Sequence, residues 1–238
     1  VTRNIAVIPA RGGSKRLPRK NILPFFGRPI IRYTIEAAQR CGLFGTVIVS
    51  TEDAEIESNI KDSGCSIHRR KPELATDTAR VVHVLKNLLE TELEQGNSFD
   101  YLCCLYPTAP LRDEEDVRKA YELLTARKAD YCLGVTEYDF SPFFAFNMDD
   151  LGRLERRWPE LAVLPPWEKP RVVVDNGSMY WVKVAAFMRR GELEGENAVG
   201  YMMPRWKSVD IDTMEDFHLA QYFARKYVSD RFGSPNPA

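Results

Sequence analysis

The sequence predicts an α/β fold with a doubly wound, mostly parallel sheet. Three observations predict it. Strand-like and helix-like segments alternate from Ile5 to Thr136, the pattern of layered α/β proteins. The run Tyr101–Tyr106 is apolar almost throughout, as a parallel strand covered on both faces must be. The alternation then breaks between Tyr138 and Arg171, where prolines, tryptophans and charges take over.

In order, Ile5–Ile8 reads as the first strand. Pro29–Arg40 carries apolar residues at helical spacing (Ile30, Ile31, Ile35, Ala38). Val47–Val49 is a short buried strand, and Thr51 is a fitting N-cap for a helix over Asp53–Asp62. A brief strand lies near Ile67. Thr78–Leu93 is a helix with Val81, Val84, Leu85, Leu88 and Leu89 as its buried stripe. Tyr101–Tyr106 is the central strand, Glu114–Ala126 a helix and Tyr131–Thr136 a further strand. Around Asp149–Gly152 the spacing fits a two-stranded excursion. The sheet pattern returns at Met179–Val182, with helices over Ala185–Arg189 and Met214–Tyr227. We therefore expect one domain over residues 1–228, an insertion at about 138–175, and a flexible tail over 229–238.

Composition narrows the function. The chain has 238 residues, 44% hydrophobic and 28% charged, with a formal net charge of -1. Attraction to nucleic acid or to an anionic membrane by bulk charge is not expected, so anion binding must come from a local cluster. No apolar run approaches the roughly twenty residues a bilayer span needs. Five cysteines without CxxC spacing read as reduced thiols of a cytoplasmic protein, and the three histidines are too dispersed for a zinc site.

Five segments can carry chemistry. The loop ARGGSKRLPRKN (10–21) leaves the first strand at the carboxyl edge of the sheet, where ligands of such folds sit. Gly12 and Gly13 let backbone N–H groups approach an anion, while Arg11, Lys15 and Lys20 supply charged donors. It is neither a P-loop nor a dinucleotide fingerprint. In VDID, Asp210 and Asp212 leave one side of an extended segment and Val209 and Ile211 the other. That spacing suits a hard cation or, equally, the acidic start of the last helix. CCLYPTAPLR ends a buried strand in a rigid turn, Tyr106–Pro107, which either shapes a base pocket or stiffens a connection. RRKPELATDTA places Arg70 before another rigid turn, as a ligand contact or a helix entry. Asp175–Asn176–Gly177–Ser178 reads first as a turn and second as a polar ligand contact.

Together IAVIPARGGSKRLPRKN, IVSTED, RKPELATDTA, LYPTAPLR, DNGSMY and SVDIDT, in this order, resemble the acylneuraminate cytidylyltransferases, the CMP-sialic acid synthetase family, over nearly the whole chain. Tyr106, CCLYPTAP and GVTEYDFSP lean toward its pseudaminic acid branch. The resemblance implies a Rossmann-like, nucleotide-diphospho-sugar transferase fold. It implies CTP and a nonulosonic acid (N-acylneuraminate, pseudaminate or legionaminate) as substrates, and Mg²⁺ as cofactor. On this likeness Arg11, Ser14, Lys15, Lys20 and Asn21 hold the triphosphate, with Ala10, Gly12 and Gly13 also on the nucleotide. Arg70 and Ala79 contact cytosine, under Tyr106 and Pro107. Arg11, Lys20, Asp210 and Asp212 are catalytic, the two aspartates as metal ligands, and Asn176 and Arg171 face the sugar. The insertion resembles a homodimerisation arm. Arg16 and Arg19 receive no role. The alternatives are another sugar-nucleotide pyrophosphorylase, such as one using 3-deoxy-manno-octulosonate, and a nucleotide-binding regulator without turnover.

Overall fold

The computed structural model describes residues 2–232. In chain order these residues form strand β1 (Asn4–Pro9), the short strands β2 (Pro24–Phe25) and β3 (Arg28–Pro29), helix α1 (Ile30–Arg40), strand β4 (Thr46–Thr51), helix α2 (Ala54–Ile60) and strand β5 (Ser66–Arg69). Helix α3 (Val81–Glu94), strand β6 (Tyr101–Leu105), helix α4 (Glu114–Ala126) and strand β7 (Tyr131–Thr136) follow. Then come the hairpin β8 (Phe146–Met148) and β9 (Leu154–Arg156), helix α5 (Pro159–Ala162), strand β10 (Val174–Lys183), helix α6 (Val184–Arg190), strand β11 (Ala198–Met202) and helices α7 (Met214–Tyr227) and α8 (Ser229–Phe232).

Seven strands form one sheet in the order β11-β7-β10-β6-β1-β4-β5. All neighbours pair in parallel except β10, which runs antiparallel to both β6 and β7. From β1 the chain moves to β4 and β5 on one side, while β6 occupies the other. The carboxyl ends of β1 and β6 therefore flank a topological switch point, where α/β sheets bind ligands.

Alternation along β1 divides the core. Ala6 and Ile8 face α1, α2 and α4, whose Ile31, Ile35, Ile56 and Val117 cover that side. Ile5 and Val7 face the α3 and α6 side, covered by Leu85, Leu88 and Phe187. Each such side chain, fully buried, contributes about 1.5–3 kcal/mol relative to exposure. A third apolar cluster gathers Phe25, Tyr33, Phe217 and Phe232 with Val209 and Ile211. It explains the end of the chain: residues 229–232 are helical and bury Phe232 instead of starting a loose tail. The remainder of the expected tail, 233–238, lies outside the described residues.

Three local expectations are corrected. Asp53, not Thr51, caps α2, accepting from the N–H groups of Glu55 and Ile56; Thr51 is taken into β4. α3 begins at Val81 rather than Thr78, with Arg80 as its N-cap, and Val82 joins its buried stripe, while Val81 is partly buried and packs against the second core cluster. Asp175–Ser178 is not a hairpin turn but a register shift inside β10. The edge strand β11 has no predicted counterpart. Elsewhere α4, β7 and α7 coincide with their predicted bounds. The hairpin β8–β9 turns at Asp149–Gly152. All five cysteines are free, and only Cys65 is not buried. Among the described residues no helix is long and apolar enough to cross a membrane.

Candidate active site

A cavity of about 220 Å³ lies at the switch point, lined by the loop after β1, the turn after β6, and the segment leading into α3. It brings together Arg11, Ser14, Lys15, Lys20, Asn21, Arg70, Ala79, Tyr106, Pro107 and Asp212, drawn from four stretches of sequence.

The cations of the loop divide cleanly. Arg11 donates to Asp77 at 2.8 Å, and Lys15 Nζ lies 2.5 Å from the same carboxylate. Lys20, only 18% exposed, reaches Asp212 at 2.7 Å, and Arg16 reaches it at 2.6 Å. Arg16 lines the cavity beside Lys20, a placement its position in the sequence did not reveal. Arg19 does not. Its backbone is left-handed, at φ 58°, and its guanidinium pairs with Asp53 at 2.6 Å and with Glu55.

This Arg19–Asp53 pair anchors the loop. The hydrogen bond from Arg19, with further ones from the N–H groups of Ile56 and Glu55, holds the Asp53 carboxyl at about 2 against an ordinary 3.8, despite burial. The folded value lies below the unfolded one. The pair therefore stabilises above pH 3.8, and its contribution is lost as pH falls through 2. Solvent around Arg19 limits the contribution to about 1–2 kcal/mol. Asp53→Asn is expected to cost that much at pH 7 and less at pH 3, which urea midpoints at the two pH values will check.

The two glycines play unequal parts. A Cβ on Gly12 would stand 2.0 Å from Asp53 Oδ2, and the Gly12 N–H donates to Glu52 Oε1 at 2.7 Å. Gly12 is therefore needed for close packing on Asp53, and its N–H is already engaged. Gly13 faces open space. Ala10 is buried, its N–H donating to Ser50 O as an extension of the sheet. Asn21 is also buried and donates to Arg11 O at 2.9 Å, closing the loop on itself. Neither Ala10, Gly12 nor Gly13 lines the cavity.

The acidic pair is positioned by what lies behind it. Val209 and Ile211 insert into the third apolar cluster, which sends Asp210 and Asp212 to the opposite side. Ile211 N–H donates to Thr108 O at 2.9 Å, and Thr108 Oγ1 donates to Asp210 Oδ1 at 2.5 Å. Thr108 thus ties the turn after β6 to the acidic segment. Thr213 and Asp216 form the capping box of α7, so neither Asp210 nor Asp212 is needed as the cap. The two carboxylates serve different spaces. Asp212 lines the first cavity. Asp210 lines a neighbouring one of about 820 Å³, with Glu137, Asp139, Asp175, Asn176 and Gly177. Asp210 is solvent-accessible but set in a concavity. Desolvation raises its carboxyl, Thr108 and Lys20 oppose the rise, and Asp212 adds to it.

Asn176 is buried, with both ends of its amide engaged: Nδ2 donates to Ser208 Oγ at 3.0 Å and Oδ1 accepts from Ser178 N–H at 3.1 Å. Its polar atoms hold the β10 bulge, while Asp175 beside it stays exposed. Gly177 has φ 62°, and a Cβ there would come within 2.8 Å of Asp210 Oδ2. Arg171 is exposed and lines neither cavity.

One residue behind the site escaped sequence reasoning. Arg112, at the end of LYPTAPLR, is wholly buried. It donates to Ser178 O at 2.6 Å and to Thr34 Oγ1 at 2.9 Å; Thr34 Oγ1 in turn donates to Tyr106 O at 3.4 Å. It makes no carboxylate pair among the described residues, and its Nε has no partner. Burial lowers its pKa to about 10, so it remains a cation at neutral pH. It joins α1, the bulge and the Tyr106 turn. Its signal was a charged residue inside an otherwise apolar motif.

Comparison with known proteins settles the class. The sequence model of the family described as cytidylyltransferase matches residues 5–154. The pseudaminic acid cytidylyltransferase of Campylobacter jejuni is 31% identical over 220 residues, covering 92% of this chain and 95% of the relative. The chain belongs to the cytidylyltransferase family. The CMP-N,N'-diacetyllegionaminic acid synthase of Legionella pneumophila is 30% identical over 230 residues, with the same two coverages. Among solved structures, CMP:2-keto-3-deoxy-manno-octonic acid synthetase complexed with CTP superposes with a TM-score of 0.72 at 16% identity, over 95% of this chain and 100% of that one. That likeness shows the shared fold. This cytidylyltransferase is accordingly a nucleotidyltransferase, and the switch-point cavity is its candidate active site.

Proposed function

We propose that this cytidylyltransferase joins CTP to a nonulosonic acid, giving a CMP-sugar and pyrophosphate. The observation that carries the reading is the single cavity shared by the basic loop, Arg70 and the Tyr106–Pro107 turn. In this reading Arg11, Lys15, Arg16 and Lys20 meet the triphosphate, which takes the place of Asp77 and Asp212 as their counter-ion. Arg70, Ala79 and the Tyr106–Pro107 turn form the base side. The sugar occupies the neighbouring cavity beside Asp175 and Asp210. Its anomeric hydroxyl attacks the α-phosphorus, the P–O bond to pyrophosphate breaks, and the hydroxyl proton leaves to solvent or phosphate. Positioning and charge neutralisation dominate such a transfer, which agrees with a site that needs no histidine base.

Enzymes of this family generally use a divalent metal, and Mg²⁺ fits the donors here. Mg²⁺ takes one or two carboxylates and completes its shell with water and substrate phosphate. Asp210 Oδ2 makes no hydrogen bond among the described residues. Asp212 becomes available as Lys20 and Arg16 turn to phosphate. Bound there, Mg²⁺ supplies charge neutralisation and lowers the pKa of a coordinated hydroxyl.

The sugar cavity is acidic: Glu137, Asp139, Asp175, Asp210 and Asp216 face one cation, Arg205, which is itself paired with Asp139. A sugar carboxylate therefore needs cations from elsewhere. We infer that a second copy supplies them through the 138–175 arm, with Arg171 as the candidate. The arm exposes Phe140, Met148, Leu151, Leu154, Val163 and Trp167, each by 61% or more, an apolar surface that asks for a partner. A homodimer is expected in equilibrium sedimentation at micromolar concentration. A mass near the 27.3 kDa of one chain would contradict it.

The activity is tested by pyrophosphate release from CTP and Mg²⁺ with a panel of nine-carbon and eight-carbon keto sugar acids. Release with the nine-carbon acids is expected. Preference for the eight-carbon acids would move the assignment to the octulosonate type, and silence with every sugar despite CTP binding would remove turnover. Arg11→Ala is expected to lower kcat/KM by about 2–4 kcal/mol, the loss of one charged contact to the transition state. Unchanged kcat/KM would make the loop a solvated surface.

A further inference from the structure

A chain of hydrogen bonds leads from the active-site cavity into the edge of the sheet, and nothing above uses it. Arg70 lines the cavity, and neither of its Nη groups makes a hydrogen bond among the described residues. Its Nε donates to Ser50 Oγ at 3.1 Å, and its backbone N–H to Thr51 O at 3.1 Å. Ser50 is fully buried on β4, and its Oγ lies 3.0 Å from His68 Nδ1 on the neighbouring strand β5.

One donor in this chain is fixed by chemistry. A guanidinium keeps its protons, so Arg70 Nε can only donate. Ser50 Oγ accepts that bond and keeps one proton, which a neutral His68 Nδ1 can accept. With His68 neutral and its proton on Nε2, Nδ1 accepts from Ser50. We propose that Ser50 and His68 are positioning residues for Arg70, holding its guanidinium toward the nucleotide only while His68 is neutral. The proposal rests on reading Arg70 as a nucleotide contact.

The surroundings favour the neutral form. The groove beside His68 holds Arg69 and Lys71 from its own stretch and Asn87 and Glu92 from α3. Arg69 is paired with Glu57 of α2. Burial first, then Arg70, lower the imidazole pKa; Glu92 and a hydrogen bond with Asn87 oppose them, and Lys71 adds to the lowering. Protonation at Nδ1 would put two cationic donors on one hydroxyl, weaken the Arg70–Ser50 bond and release the fork. A structural hydrogen bond alone would not carry this dependence on the charge of His68.

CTP affinity measured by calorimetry without sugar, from pH 5 to 8, tests the proposal. At pH 8, Ser50→Ala is expected to weaken CTP binding about tenfold, the worth of one hydrogen bond to a charged group. His68→Leu, which strips the acceptor, is expected to weaken it several-fold. His68→Asn returns an acceptor at the Nδ1 position that cannot take a charge, and is expected to rescue His68→Leu. Toward pH 5 the native protein should lose more affinity than His68→Asn. That difference separates His68 from the titration of the CTP phosphates. Superimposable pH profiles, or no rescue by Asn, would overturn the proposal even if Ser50→Ala proves too unstable to measure. Arg70→Met is the control. If it weakens CTP while the Ser50 and His68 variants do not, the positioning role fails and the contact stands. If Arg70→Met leaves CTP binding unchanged, the contact itself fails and takes the proposal with it.

Discussion

Asp212→Ala is expected to lower kcat/KM by about 10³-fold or more while leaving the fold intact. Two independent roles meet on this carboxylate. It holds Lys20 at 2.7 Å and Arg16 at 2.6 Å, so its removal frees the two cations nearest the acidic segment. It is also one of the two oxygen donors proposed for Mg²⁺. Loss of metal-linked charge stabilisation is worth several kcal/mol, and about 4 kcal/mol corresponds to a thousandfold in rate. The fold should survive for a local reason. The cap of α7 belongs to Thr213 and Asp216, and Ile211, which remains, anchors the segment in the third core. The measurement is a Mg²⁺ titration of pyrophosphate release beside a thermal melt. Full activity would remove Asp212 from the metal site; a large fall in Tm would make its role structural.

Arg112→Met is expected to lower Tm by roughly 4–16 °C and to reduce activity with it. The methionine approximates the volume of the arginine side chain, so the loss comes from unmade hydrogen bonds rather than from a cavity. Ser178 O and Thr34 Oγ1 lose their donor, at about 1–3 kcal/mol for each buried group left unsatisfied. Part of this is returned, because a buried cation without a carboxylate partner is itself expensive. A net of about 2–4 kcal/mol shifts Tm by roughly 2–4 °C per kcal/mol for a chain of this size. Activity should fall because the β10 bulge and the Tyr106 turn, both beside the ligand cavities, share this one clamp. Arg112→Lys keeps the charge but not the fork, so it should recover only part of the loss. An unchanged Tm in Arg112→Met would show that the clamp contributes nothing.

Much of the candidate site was legible because its signals are local. A glycine-rich basic loop after a buried strand, a two-proline turn after the central strand and an alternating VDID segment each declare their chemistry within a dozen residues. What was misread depended on neighbours. Val81 reads as core by helical spacing, and it packs against the core, yet as the first residue of α3 it is only partly buried and also lines the cavity. Asn-Gly reads as a turn, yet β6 and β7 flank it and make it a bulge. Gly12 reads as an opening for an anion, yet Asp53 fills the space beside it.

The sequence by itself determined the fold class, most of the element order apart from β11, the basic loop at the carboxyl edge of the sheet, and the shared side of Asp210 and Asp212. Periodicity and spacing decide which side of its own backbone a residue leaves, and those features ask no more than that. The tertiary structure alone decided that Arg16 lines the cavity while Arg19 anchors the loop, that Asp210 and Asp212 line two adjoining cavities, and which partners Thr108, Arg112 and Ser50 hydrogen-bond behind them. Each of those roles depends on the partner that a distant segment presents. A buried cation or hydroxyl takes its function from the acceptor brought to it, and spacing along the chain carries no record of that acceptor.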